Sequence, residues 1–200
     1  MRRSEDHFSR EARKQGFPAR SVFKLQEIQE RFRIVRRGGS VLDLGAAPGS
    51  WSLYCLRSLG ARVVAVDLAE LSLSGPHAEK LRFFRGDIFD PLVAERLQAA
   101  GPFDAILSDA APSTSGTALV DTEASLELAR RVLALARGCL KPGGNLVIKV
   151  FQSGGEAELL RRMKTLFARA RAFKPGASRR ESRETYLLGL SYLQKTPKKT

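Results

Sequence analysis

Residues 41–51 read VLDLGAAPGSW. A mostly apolar run collapses into glycine, alanine and proline, and an aromatic follows. Small residues directly after a buried strand mean that something lies against the backbone there, where a side chain would obstruct it. Working outward, short apolar runs alternate with stretches of helical periodicity. Strands are predicted at 41–45, 62–68, 81–87, 103–109 and 145–151, with two more around 170–173 and over 185–193. Helices are predicted from about residue 50, over 91–100 with Pro91 in its first turn, from about 124 to 140, and over 155–168. The KPGG at 141–144 stops the third of these. Ahead of the loop, VFKLQEIQERF (22–32) reads as an amphipathic helix. Strands alternating with helices imply an α/β class: one Rossmann-like domain, a mostly parallel seven-stranded sheet with helices on both faces. Residues 1–40 are expected to form a basic helical segment, 41–193 the α/β core and 194–200 a frayed tail. No internal repeat or dividing linker interrupts the chain.

Composition narrows the function class. With 200 residues the chain suits one domain with a sizeable core. No apolar run reaches the roughly 18 residues of a membrane span, and the start has no signal-peptide apolar region. Cys55 and Cys139 are isolated and read as small core residues, which points to a cytoplasmic location. His7 and His77 add no metal-ligand cluster. The net charge is +13, and its distribution matters more than its size. Residues 1–40 hold 11 Lys/Arg against 5 Asp/Glu, and residues 161–200 hold 12 against 2. The 120 between hold 11 against 14. Basic ends around a slightly acidic middle point to a polyanionic partner, above all nucleic acid.

In a doubly wound sheet, ligands sit beyond the carboxyl ends of the strands, beside the first crossover. The loop Gly45 to Gly49 lies there. It is not a dinucleotide fingerprint, because Ala47 takes the second glycine position and Pro48 removes an amide. It is not a P-loop either, since no Lys-Ser/Thr pair follows. A ligand without phosphate fits better, and S-adenosylmethionine is such a ligand. Asp67, at the end of the second strand, is placed to accept both ribose hydroxyls. Asp87, after the third strand, is placed to meet an adenine edge. A single acid at a strand end could be a helix cap. Acids after strands two, three and four around one glycine loop make a binding site the better reading.

Asp109 ends the fourth strand, and Lys149 lies inside the otherwise apolar fifth, where an unpaired lysine is costly to bury. Lys24 lies in the amphipathic helix and Glu184 just before the last strand. At these residues the chain resembles the FtsJ/RrmJ family of ribosomal RNA 2′-O-ribose methyltransferases. The motifs that carry the resemblance are ARSVFKLQEI, VLDLGAAPGSW, SDAAPSTSG with the VD that follows, LVIKVFQ and SRETY. The resemblance implies a catalytic tetrad of Lys24, Asp109, Lys149 and Glu184. It also implies cofactor contacts at Gly49, Trp51, Asp67, Asp87 and Asp109, beside the Gly45 of the loop. Ser113 and Thr114 depart from the family pattern, and the segment DHFSREARKQGF lacks the tyrosines common there; both bear on how RNA is held.

The implied reaction moves a methyl group from S-adenosylmethionine to a ribose 2′-hydroxyl, leaving S-adenosylhomocysteine and requiring no metal. In-line positioning supplies much of the rate. An ordinary lysine, pKa ~10.4, is mostly charged at pH 7, so Lys149 acts either as general base or as a cation at the developing charge. The implied substrate is a uridine of 23S RNA in the large ribosomal subunit, met as naked RNA or assembled particle. A monomer is expected, with no DNA or membrane partner. The competing readings are a small-molecule O-methyltransferase, an enzyme acting on transfer RNA or messenger RNA caps, and a non-catalytic ribosome-assembly factor.

Overall fold

The strand that begins the opening motif, β1 (Ser40–Leu44), sits at the middle of the sheet with both faces covered, which is why its apolar run is nearly continuous. The structure is a computed structural model that describes residues 7–73, 78–112, 115–152, 154–179 and 181–194. The remaining strands are β2 (Arg62–Asp67), β3 (Leu81–Arg85), β4 (Phe103–Ser108), β5 (Leu140–Phe151), β6 (Phe167–Phe173) and β7 (Glu184–Tyr192). They form one seven-stranded sheet in the order β3-β2-β1-β4-β5-β7-β6, in which β7 alone runs against its neighbours. The helices are α1 (His7–Lys14), α2 (Val22–Phe32), α3 (Ser50–Leu59), α4 (Pro91–Ala100), α5 (Ala118–Cys139) and α6 (Glu156–Lys164).

Side-chain alternation sorts the core into two layers. Val41, Ala105, Leu107, Val147 and Leu188 pack with Leu25 and Ile28 of α2 and with Cys55 of α3. On the other face Leu42, Leu44, Ile106, Ile148 and Leu187 pack with Leu97, Val132 and Met163 of α4, α5 and α6. The α/β architecture predicted from the sequence is the one observed. Both cysteines are free and buried, and burial pushes both thiols up, that of Cys139 to about 11. Among the described residues, no helix is long and apolar enough to cross a membrane.

Several boundaries differ from expectation: β3 ends at Arg85, two residues early, and α6 at Lys164, four residues early, where the chain turns into β6. Helix α5 starts at Ala118, six residues before the periodicity near 124 suggests. The KPGG segment ends that helix but also belongs to β5: Phe103 pairs with Leu140 and Ala105 with Asn145, so residues 141–144 bulge opposite Asp104 alone. Lys141 secures the bulge by pairing with Asp104 at 3.0 Å. Strand β6 starts at Phe167, three residues early, because Phe167 is buried against Tyr192. His77, Ser113, Thr114, Arg180 and residues 195–200 lie outside the described residues.

Candidate active site

Parity and register bring the chemistry to one spot. Leu107 pairs with Val147, and Asp109 follows Leu107 by two residues just as Lys149 follows Val147. Asp109 and Lys149 therefore emerge side by side on the α2–α3 face of the sheet. Lys149 Nζ lies 3.1 Å from Asp109 Oδ1, with the lysine side chain only 9% exposed, and it also donates to the Asp109 carbonyl. Across the β5–β7 ladder, Lys149 faces Tyr186 and Phe151 faces Glu184. Residues 184 and 186 thus share the face that carries Lys149. The Tyr186 hydroxyl donates to Asp109 Oδ1 at 2.8 Å. Burial above all, and then the carboxylates of Asp109 and Glu184, raise the Tyr186 hydroxyl well above its usual pKa, so it stays a donor.

A second ion pair stands beside the first. Lys24 Nζ lies 2.6 Å from Glu184 Oε1, both side chains 12% exposed, and Ser178 Oγ donates to the same oxygen at 2.8 Å. Lys24 is there because Leu25 and Ile28 draw α2 onto the sheet. The segment leading into α2 is tied to α3: Ala19 N donates to Ser50 Oγ at 2.7 Å, and Trp51 Nε1 donates to the Ser21 carbonyl at 2.8 Å. The Trp51 ring in turn packs on Tyr186, ring centres 5.8 Å apart.

Above this floor are two cavities. One, about 530 Å³, is walled by the loop from Gly45 to Pro48, by Asp67, Asp87 and Asp109, and by Lys149. The loop needs its glycines: a Cβ on Gly45 would lie 2.5 Å from the Cα of Ala110, and Gly49 has φ +113°. Asp67 is held rigidly, its Oδ2 accepting from Ala47 N and its Oδ1 from Ala69 N, each at 2.8 Å. Asp87 is exposed at the rim and accepts from Phe89 N at 2.9 Å. The other cavity, about 480 Å³, is walled by Arg20, Lys24, Arg179, Glu181, Ser182 and Glu184. Ser21 lines both.

The sequence pattern of the FtsJ-like methyltransferase family matches residues 17–192, from the segment before α2 to the end of β7. The chain belongs to the FtsJ-like methyltransferase family. It is similar to the ribosomal RNA large subunit methyltransferase E of Treponema denticola, 46% identical over 189 residues that cover 94% of each chain. It is also similar to the protein of the same name from Nitratidesulfovibrio vulgaris, 42% identical over 196 residues covering 96% of this chain and 95% of the other. Among solved structures, a Plasmodium falciparum protein described as a ribosomal RNA methyltransferase superposes with a TM-score of 0.78. It is 24% identical and covers 90% of this chain and all of its own, a likeness of fold.

Within this FtsJ-like methyltransferase the four tetrad residues come together as two ion pairs. Asp67, Asp87, Asp109 and Gly45 line the larger cavity, whereas Gly49 and Trp51 are not on its wall. Trp51 is 2% exposed and serves as a brace beneath the site. The peptide groups of Gly49 and Trp51 stand at the start of α3, where first-turn amides lack helical partners. Sequence reasoning missed Tyr186, which reads as one more apolar residue of its strand. Its position two residues after Glu184 was the available signal. Asp43 was also missed. It is fully buried on the same face, and its carboxyl is pushed up to about 7, by burial first and by the charges of Asp109 and Asp67 as well. Ser52 Oγ donates to Asp43 Oδ2 at 2.6 Å, and among the described residues Oδ1 has no hydrogen-bond partner.

Proposed function

We propose that the protein transfers a methyl group from S-adenosylmethionine to a ribose 2′-hydroxyl of large-subunit ribosomal RNA. The observation that carries this reading is the pair of ion pairs, Lys149–Asp109 and Lys24–Glu184, lying where the two cavities meet at Ser21. The name shared by the close relatives and the basic ends of the chain support the substrate. The same reading places the enzyme in the cytoplasm with ribosomes, acting as a monomer, since one chain builds both cavities.

The larger cavity fits S-adenosylmethionine by its donor set. A carboxylate already fixed by two backbone amides keeps lone pairs for ribose hydroxyls, which is the case of Asp67. Asp87 at the rim suits an adenine amino group, and the Gly45 loop admits a ligand to the backbone. Carboxylates also suit a cationic sulfonium, and no built phosphate cradle is needed. When bound, S-adenosylmethionine supplies the electrophilic methyl carbon.

The chain's own residues do the rest. Lys24 and Glu184 line the entry for the acceptor ribose and hold each other in place. Lys149 meets the 2′-oxygen. As an ammonium it donates to that oxygen and stabilises charge there, the hydroxyl proton passing to solvent; as an amine it takes the hydroxyl proton itself, and in either case the new C–O bond forms as S-adenosylhomocysteine departs. Asp109 fixes Lys149 through both its carboxylate and its carbonyl, and Tyr186 fixes Asp109. Positioning of this kind is a major part of the rate.

The test is labelled S-adenosylmethionine offered separately to unmethylated large ribosomal subunits, naked ribosomal RNA, capped RNA and a catechol. Label is expected in the ribosomal substrates, as an alkali-resistant linkage, because a 2′-O-methyl blocks the neighbouring phosphodiester from cleavage. Label in the bases, or only in capped RNA or the catechol, would overturn the reading.

A further inference from the structure

We infer that a cationic groove between the end of α2 and the edge strand β6 holds the phosphate backbone of RNA flanking the methylated nucleotide. The inference rests on the function proposed above and extends it to a second region of the molecule. The groove, about 670 Å³, is walled by Arg31, Phe32, Lys164, Arg169 and Arg171, with alanines of β6 and Leu190 as its floor. Four cations and no carboxylate line it. Among the described residues, none of the four makes an ion pair.

The cations are organised. Phe32 and Phe173 meet edge to face, ring centres 5.1 Å apart. Arg31 lies over the Phe173 ring at 5.3 Å and Arg171 over the Phe32 ring at 5.2 Å. A guanidinium stacked on a ring keeps its in-plane N–H donors unspent, and the stacking removes rotamer freedom before any ligand arrives. Because their own arginines already lie over these rings, the groove is suited to phosphate oxygens rather than to stacked bases.

The groove lies along the same helix and the same sheet face as the active site. Lys24 and Arg31 are seven residues apart on α2, which places them on one side of the helix about 10 Å apart along its axis. On the sheet, Phe173 pairs with Tyr186, Arg171 with Leu188 and Arg169 with Leu190. Arg171 and Arg169 therefore recede from the Tyr186 row by about 7 and 13 Å. A strand whose ribose reaches Lys24 has its neighbouring phosphates within reach of this row.

Charged residues on an edge strand also keep sheets from pairing edge to edge, and the experiment separates that role from docking. Arg169→Glu together with Arg171→Glu keeps the edge charged but reverses its sign. On unmethylated large subunits and on naked ribosomal RNA, the double variant should raise KM by tenfold or more. The slope of log KM against log salt should fall by about the equivalent of two phosphate contacts, while calorimetric affinity for S-adenosylmethionine and the saturated rate stay as in the wild type. Wild-type KM and salt slope in the variant would overturn the inference. Should charge reversal lower the melting temperature, Arg169→Gln with Arg171→Gln adds no like charge and is expected to lose the same salt slope; an unchanged slope there overturns the inference equally. Wild-type enzyme that methylates none of these RNAs would instead bring down the proposed function, so the two failures are distinguishable.

Discussion

Cavity walls on either side of Ser21 differ in charge. Below the Gly45 loop, three carboxylates, Asp67, Asp87 and Asp109, stand with one ammonium, Lys149. Beyond Ser21, three cations, Arg20, Lys24 and Arg179, stand with two carboxylates, Glu181 and Glu184. An acid-rich wall suits a cationic donor, and a cation-rich wall suits a polyanionic acceptor. The two meet at Ser21, with the Lys149–Asp109 pair on one side and the Lys24–Glu184 pair on the other, so the charges at the boundary are already paired. The difference teaches that reagents of opposite charge can be held side by side if the boundary is made of groups that compensate each other.

The largest effect is expected at that boundary. Lys149→Ala should lower single-turnover methyl transfer by ~10² or more, the scale of a lost proton acceptor or charge stabiliser, with cofactor and RNA affinity near normal. Lys149→Arg keeps the charge but cannot give up its proton. An arginine variant as inactive as alanine across the pH range assigns the base role; one that retains a substantial rate assigns the fixed cation. Full activity in the alanine variant would remove Lys149 from the boundary and leave Asp109 as the next group to test.

Next is Asp43, a carboxyl beneath the acid-rich side that would make its charge still more negative if ionised. Its folded pKa, about 7, lies above the 3.8 of the unfolded chain. The folded state therefore keeps a proton that the unfolded state has released, and stability declines as pH rises between about 4 and 7. The decline is on the order of 2–4 kcal/mol. Asp43→Asn is neutral throughout, so its melting temperature should gain on the wild type as pH rises through this window and hold that gain above it. A constant difference at all pH values would mean that Asp43 is charged in the folded protein and adds a fourth carboxylate to the acid-rich side.

Asp67→Ala should weaken S-adenosylmethionine by roughly 1–3 kcal/mol in calorimetry, because buried hydroxyls lose a charged acceptor. Asp87→Ala, at the exposed rim, should cost less. Equal losses would mean that the donor side reads total charge rather than a fixed acceptor.

How much of this was legible in the sequence follows from what each residue borrows from its surroundings. Strands β1, β2 and β4 could be read directly, since strands covered on both faces are apolar runs whatever lies beside them. The residues 141–144 could not be read as a bulge, because their path depends on Asp104, which anchors Lys141 from another strand. Lys149 declared itself as a charge inside an apolar strand. Tyr186 did not, since a tyrosine among apolar residues is ordinary core until its hydroxyl is seen to meet Asp109. Trp51, expected at the cofactor, has its side chain turned into the floor, the indole N–H spent on the Ser21 carbonyl and the ring on Tyr186, which leaves its peptide group for any contact with the cofactor.

The smallest effect tests whether the boundary is held from below. Tyr186→Phe removes only the hydroxyl that donates to Asp109, while the ring that packs on Trp51 stays. Asp109 keeps its contacts with Lys149 but loses one of the two groups that fix its carboxylate. A hydrogen bond to a charged group contributes about 1.5–3 kcal/mol at most, and retained contacts absorb part of the loss. The saturated rate should therefore fall by about three- to tenfold, with KM for RNA and affinity for S-adenosylmethionine little changed. Melting temperature should move by no more than a few degrees, since the buried ring is intact. A loss in cofactor affinity instead of rate would place Tyr186 on the donor side, acting through Asp109 on the bound nucleoside. A wild-type rate would mean that Lys149 alone orients Asp109. In that case the boundary between the two cavities is a single ion pair, with no support from the strand beneath it.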